Sequence, residues 1–274
     1  MDEIFSNSDL QKCTIDAINW AHSNGHLNVV NYLRTIGKSL LYAMEWASTN
    51  GHIDLVKYLH SIGKDCSTDA MDYASENGHL EIVKYLHSIG KECTVNAMIL
   101  SSCNGHIKVV KYLHLIGKDC TTKAMNWASL NGHLDVVEYL HSIDKECTTK
   151  AMDNASKNGH LDIVKYLNLI GKDCTVDAIN YASSNGHLEV VKYLHSIGKE
   201  YTVNAKNYAS SNGYLEIVKY LNSIDGIATD CVSLHSTNKE HTLNIINYTS
   251  SNGNQKVVKY LHSIVKRLFR RCNK

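Results

Sequence analysis

Proline is absent from this chain, against a usual content of about 5%. No ring-locked backbone angle breaks its 274 residues, so glycine must supply the punctuation. A dominant charge is also missing. With 28 basic and 27 acidic residues and a net charge of +1, there is no overall field to hold a nucleic acid or an anionic membrane. Any partner must be recognised by local surface. No apolar run approaches the ~20 residues needed to span a bilayer. The opening "MDEIFSNSDL" lacks the basic region and apolar stretch of a secretory signal. These features point to a soluble, intracellular and cytoplasmic protein, with the nucleus left open. A disulfide framework is missing as well. The nine cysteines are an odd number, and Cys66, Cys93, Cys120, Cys147 and Cys174 recur at one spacing. That is inheritance of a packing position, with free thiols in a reducing compartment.

What the chain does have is repetition. Asn-Gly pairs begin at Asn24, Asn50, Asn77, Asn104, Asn131, Asn158, Asn185, Asn212 and Asn252, so the intervals are 26, then 27 six times, then 40. Nine units with a 13-residue insertion, 226–238, before the last describe this spacing. Self-similarity at such a period signals a solenoid, in which each unit buries its apolar face only against its neighbours. The expectation is one elongated domain over 1–274, with repeats at about 13–225 and 239–265 and a basic C-terminal cap at 266–274.

Within "CSTDAMDYASENGHLEIVKYLHSIGKE", residues 66–92, the 100° spacing puts Ala70, Met71, Ala74 and Ser75 on one side of a first helix. Asn77-Gly78 ends it. Ile82, Val83, Tyr85, Leu86 and Ile89 form the apolar arc of a second helix, with Glu81, Lys84, His87 and Ser88 opposite. Gly90 closes that helix. Ser67 or Thr68 here, and Thr94, Thr121, Thr148, Thr175, Thr202 and Thr242 elsewhere, are placed to cap the first helices. The unit is helix, tight turn, helix, short connection, and the class is all-α.

The pattern A-S-x-N-G-H-L-[ED]-[IV]-V-K-Y-L followed by I-G-K-[DE] resembles the ankyrin signature over roughly residues 13–265. It departs from that signature in having "DAMD" where the family opens Thr-Pro-Leu-His. Its period is also about six residues below the ankyrin 33, lost in "G-K-[DE]-C-[TS]", where the family projects a β-hairpin finger. The array resembles the short-repeat ankyrin proteins of large DNA viruses of amoebae and of some protists. The resemblance implies an ankyrin-like helical-hairpin solenoid with shortened fingers, a binding role, no enzymatic chemistry and no cofactor. It also implies that the first helices line a concave surface.

Two histidine rows, His26 to His187 and His60 to His262, suggest zinc with the cysteines. Zinc motifs place ligands in pairs two to five residues apart, however, and one residue per repeat supplies no tetrahedron. The Gly-His row is structural, fastening turns by hydrogen bonds as the resemblance implies, and the second row belongs to a solvated face. No nucleophile elbow or phosphate-cradling loop is present, and no acid or base has a non-repeating setting. The lysine stripe Lys57, Lys84, Lys111, Lys165, Lys192, Lys219 and Lys259 has acids three residues before most of its members, such as Glu81 with Lys84 and Asp162 with Lys165. Such pairing neutralises the face. The tail "VKRLFRRCNK" suits a capping helix end, with nuclear import or membrane contact as alternatives.

Repetition fails in three rows of the first helix. The first runs from Asp16 through Lys123 and Lys150 to Asn244. The second runs Asn19, Glu45, Asp72, Ile99, Asn126, Asp153, Asn180, Asn207, Asn247. The third runs Ser23, Thr49, Glu76, Cys103, Leu130, Lys157, Ser184, Ser211, Ser251. All three fall at 200–260° from Ala70, on one exposed face. At its edge runs Trp20, Trp46, Tyr73, Leu100, Trp127, Asn154, Tyr181, Tyr208, Tyr248, of which Tyr73 and Tyr181 read as helix-on-helix packing. Ile99, Leu100, Cys103, Trp127 and Leu130, rimmed by Lys123, Lys150 and Lys157, form the candidate partner site, an apolar cluster within a polar face. The leading expectation is a monomeric protein–protein interaction scaffold with no metal. A nucleic-acid-binding solenoid and a substrate adaptor for a ubiquitin ligase are the alternatives.

Overall fold

The computed structural model describes residues 20–21, 23–35, 42–224, 249–250 and 252–272. The insertion at 226–238 lies outside them. The chain divides into two compact units, Met1–Glu146 and Cys147–Lys274. All regular structure among the described residues is helical, with no strand.

In the first unit, α1 (Leu27–Thr35) is followed by α2 (Ala43–Thr49), α3 (Ile53–Ser61), α4 (Asp69–Glu76), α5 (Leu80–Ser88), α6 (Val95–Cys103), α7 (Ile107–Leu115), α8 (Thr122–Asn131) and α9 (Leu134–Ser142). The second holds α10 (Lys150–Asn158), α11 (Leu161–Leu169), α12 (Asp177–Ser184), α13 (Leu188–Ser196), α14 (Val203–Ser211), α15 (Leu215–Ile224) and α16 (Gln255–Cys272). From α2 onward, even-numbered helices up to α14 are first helices and odd-numbered ones second helices. The basic tail continues the final second helix, since α16 runs unbroken to Cys272.

A helix such as α5, with nine residues, cannot hold itself together in water; stacking does. Ala70, Met71, Ala74 and Ser75 on α4 and Ile82, Val83 and Leu86 on α5 are buried, and the same positions are buried in repeat after repeat. First helices pack on first helices within each unit, as α4 does on α6 and α10 on α12. Each buried Leu or Ile contributes about 1.5–3 kcal/mol. Lys206 breaks the series by occupying, at 6% exposure, the place that Met71, Met98, Met125 and Met152 fill elsewhere.

The expected punctuation is present. Thr94, Thr121 and Thr202 accept the amide of the second residue following, capping α6, α8 and α14. The turn after α4 depends on Gly78, whose φ is 77°. A Cβ there would lie 2.6 Å from Nδ1 of His106 in the next repeat. The second-helix stop normally made by glycine is made in one repeat by Asp144, at φ 57°.

Three ladders tie neighbouring repeats. The first satisfies an orphan carbonyl at the ends of first helices. The donor is a histidine in some repeats, His52 Nε2 on the Ser23 carbonyl at 2.7 Å and His79 Nε2 on that of Thr49 at 3.1 Å. In others it is the turn asparagine, Asn104 Nδ2 to Glu76 at 2.8 Å and Asn185 Nδ2 to Lys157 at 2.7 Å. The second ladder joins second helices. Nδ1 of His60, His87, His114 and His195 lies 2.8–3.0 Å from the hydroxyls of Tyr85, Tyr112, Tyr139 and Tyr220. This histidine row is therefore not simply a solvated face, because each ring reaches the tyrosine one repeat on.

The third ladder runs through the shortened connections. Lys145 reaches back to Asp119 at 2.8 Å and Lys199 to Asp173 at 2.7 Å, with Lys91–Asp65 and Lys118–Glu92 equivalent. Exposed pairs of this kind contribute about 0–1 kcal/mol each. Burial pushes the adjacent thiols of Cys66, Cys93 and Cys174 up to about 11, which keeps them protonated and poorly reactive at neutral pH.

The lysine stripe is partnered in two ways. Where the preceding acid is glutamate, the pair forms: Lys84–Glu81, Lys192–Glu189 and Lys219–Glu216, at 2.7–2.9 Å. Where it is aspartate, the shorter side chain turns back. Asp162 Oδ1 accepts the Ile163 amide, and Lys165 lies 5.8 Å over the Tyr193 ring. The expected Asp162–Lys165 pair is thus replaced by two other contacts.

Candidate partner-binding surface

The three variable rows do not share one exposed face. First-row residues such as Asp69, Asn96, Lys123, Lys150 and Asp177 are exposed. The second row turns inward: Asp72, Ile99, Asn126, Asp153 and Asn180 are 3–7% exposed. The row faces the cap of the next repeat and grips it. Asp72 accepts the Thr94 amide at 2.9 Å and the Thr94 hydroxyl at 2.5 Å. Asp153 does the same to Thr175 at 2.9 and 3.0 Å, and Asn180 Oδ1 takes both donors of Thr202 at 3.2 Å. Burial raises the Asp72 and Asp153 carboxyls above the usual carboxylate range, and the threonine bonds offset only part of that.

Ile99 belongs to this inward row. Its expected exposure is corrected to 6%, because the position sits under the cap of the following helix and does not project to solvent. The other first-unit members of the proposed cluster do reach the surface. Leu100, Cys103 and Leu130 are half-buried, Lys123 is exposed, and Trp127 is 41% exposed. Cys103 is partly engaged, since Asn131 Nδ2 donates to its carbonyl at 2.7 Å and lies 3.1 Å from its Sγ. Burial raises this thiol too. Lys150 and Lys157 are exposed on α10 of the second unit, where Lys157 Nζ lies 5.8 Å over the Tyr181 ring.

The aromatic edge row is more exposed than helix packing alone requires. Trp46 and Tyr73 in the first unit are each 42% exposed, and Tyr181 and Tyr208 in the second 40% and 43%. Tyr73 and Tyr181 therefore show as much ring to solvent as Trp127. Between α2 and α4 the row borders a groove of about 570 Å³, lined among others by Tyr42, Glu45, Trp46, Asp69, Tyr73 and Glu76. Apolar character alone does not mark it in the sequence. Its signal in the sequence is the coincidence of acids in the variable rows with aromatics in the edge row across two consecutive repeats.

Among the described residues no three His, Cys, Asp or Glu side chains converge so as to hold a metal ion, and no helix is long and apolar enough to cross a membrane. The family model "Ankyrin repeats (3 copies)" matches residues 18–97, 71–153, 97–178 and 151–231. No curated protein matches. Among solved structures, the human ASB11 ankyrin repeat domain is similar at 21% identity with a TM-score of 0.49, over 57% of this chain and 84% of that one.

Proposed function

As a chain belonging to the ankyrin-repeat family, this protein is, we propose, a protein-interaction scaffold without catalytic activity, gripping its partner with the face made by successive first helices. The exposed aromatic edge row carries this reading. Rings about two-fifths exposed at the same position of repeat after repeat are the groups that anchor protein interfaces. In the first unit, Trp127, Leu130, Leu100 and Cys103 with Lys123 form one anchor group, and Lys150 and Lys157 extend the reading into the second unit. The lysine partnering supports a protein over a nucleic acid. Phosphate binding draws on cations free to neutralise it, and of the second-helix stripe Lys57, Lys84, Lys111, Lys165, Lys192 and Lys219 are committed to glutamates or tyrosine rings. A period of 27 residues supports kinship with the short-repeat proteins of viruses and protists.

The test is capture from lysate with wild type, a Trp127→Ala/Leu130→Ser variant and a Lys84→Ala/His87→Ala variant on the opposite side. Proteins retained by wild type should be lost from the first variant and kept by the second. Equal retention by both variants, or RNA as the salt-sensitive material retained, defeats the proposal.

A further inference from the structure

The groove between α2 and α4 combines three features. It is a concavity of about 570 Å³. Its walls include Tyr42, Trp46 and Tyr73, which are 61%, 42% and 42% exposed. Its charged lining is acidic, Glu45, Asp69 and Glu76, with no lysine, arginine or histidine. Glu45 is held in place from the next repeat, since its Oε1 accepts the Ser67 amide at 3.0 Å and the Ser67 hydroxyl at 3.2 Å. Glu45 is thus a positioned carboxylate in the lining that Trp46 and Tyr73 share.

The second unit shows what such a ring takes. Lys157 stands 24 residues before Tyr181 and places its ammonium 5.8 Å from that ring. The residue 24 before Tyr73 is Thr49, which lines the groove and is too short and uncharged to do the same. The counterpart of Tyr73 one repeat pair along, Trp127, has Cys103 in that place and exposed Lys123 in its first row, so it lacks the acidic surround. Ring faces attract cations, and carboxylates alongside add to that attraction.

We propose that the α2–α4 groove receives an arginine or lysine side chain from a basic segment of the partner protein. The cation sits over Tyr73 and Trp46 and is flanked by Glu45, Asp69 and Glu76. This assignment rests on the scaffold reading and adds the chemistry of the ligand.

Acetylated hexaarginine amide is the probe, titrated into ¹⁵N-labelled full-length protein. The three tryptophans give three indole N–H signals, assigned by Trp→Phe variants. The Trp46 signal should shift saturably while those of Trp20 and Trp127 stay nearly still. Tyr73→Ala, and separately Glu45→Gln with Glu76→Gln, should weaken binding by roughly tenfold. Thr49→Lys, which copies the Lys157 arrangement, should fill the site from within and abolish the shift while leaving the circular dichroism unchanged. Hexaglutamate should do nothing. No saturation of Trp46, equal shifts of all three indoles, an equal response to hexaglutamate, or undiminished binding by folded Thr49→Lys would each overturn the assignment. Selection from a random peptide library against the whole chain separates the two levels. Binders that need Trp127 and Leu130 but carry no arginine or lysine and ignore Thr49→Lys would sink the groove and leave the scaffold standing. A saturable Trp46 response, with no lysate protein dependent on Trp127 and Leu130, would do the reverse.

Discussion

Replacing Ile99 by asparagine should leave stability within about 1 kcal/mol of wild type, while replacing it by alanine should cost about 2–4 kcal/mol. Asparagine is expected to restore a tie that neighbouring repeats make and this one has given up. The cap that Ile99 faces is Thr121, whose backbone angles (−94°, 172°) match those of Thr94 (−88°, 178°) and Thr202 (−100°, 169°). Thr94 and Thr202 both give their amide and hydroxyl to the residue in the Ile99 position one repeat earlier. Ile99 has no acceptor to offer. An amide there gains two hydrogen bonds, about 0.5–1.5 kcal/mol each, and loses the burial of an isoleucine, about 1.5–3 kcal/mol. The two nearly cancel. Alanine loses the burial and gains nothing.

Urea unfolding followed by circular dichroism gives the global figure, with the m-value checked for constancy. Amide exchange at Thr121 gives the local one, and it should slow in Ile99→Asn and not in Ile99→Ala. If asparagine is as costly as alanine and Thr121 exchange is unchanged, the position is ordinary core and the tie does not transfer. If alanine costs less than about 0.5 kcal/mol, Ile99 is a surface residue after all, and its burial here is refuted.

Asp144→Gly should raise stability by about 1 kcal/mol, since Asp144 holds a φ of 57° where glycine carries no Cβ penalty; an unchanged unfolding midpoint would contradict this. Gly90→Ala should cost only the conformational 1–2 kcal/mol or so, because open space surrounds its Cβ direction, whereas Gly78→Ala must also displace the His106 ring and should cost clearly more by the same measurement. Asp72→Asn and Asp153→Asn should change how stability depends on pH. Both carboxyls lie above their ordinary value when folded, so the folded state holds their protons more tightly. Their contribution is therefore complete below the unfolded value of about 3.9 and is lost as pH rises through the raised folded value. The asparagine variants should gain on wild type between acid and neutral pH and lose that advantage in acid; parallel melting-temperature profiles from pH 3 to 7 would refute the assignment.

Helix placement, caps and turns were legible because each depends on a short-range cue that recurs: Thr94 before α6, Asn77-Gly78 after α4, Ile82 and Leu86 at helical spacing. Angular position on a helical wheel failed for the second variable row. A wheel knows only the residue's own helix, and the environment of Asp72 or Ile99 is made by the threonine cap 22 residues later. Polarity misled for the same reason: Asp72, Asp153 and Asn180 are polar because they tie repeats together, not because they meet water. The His60–Tyr85 ladder was hidden likewise, being a contact between residues 25 apart on two helices that look amphipathic separately. Apolar character marks Trp127 and Leu130 in the sequence but not the α2–α4 groove, whose distinguishing feature is acid beside exposed ring.

Variation along a repeat array has two sources, and the contacts here separate them. Asn104 donates to the Glu76 carbonyl while His79 donates to that of Thr49, so one need is met by different residues and the difference says nothing of a partner. Lys165 over Tyr193 and Lys192 beside Glu189 are likewise two answers to the same problem of placing a lysine. With such internal solutions set aside, two groups stand out among the described residues on the first-helix face of the first unit: Trp127 and Leu130 near Lys123, and the rings of Trp46 and Tyr73 beside Glu45, Asp69 and Glu76. The two groups differ in the sign of the charge around their aromatics. A partner engaging both would have to present an apolar or acidic segment to α6 and α8 and a basic one to α2 and α4. Such a polarised ligand has one favourable direction along the array, and reversing its sequence should cost it most of its affinity.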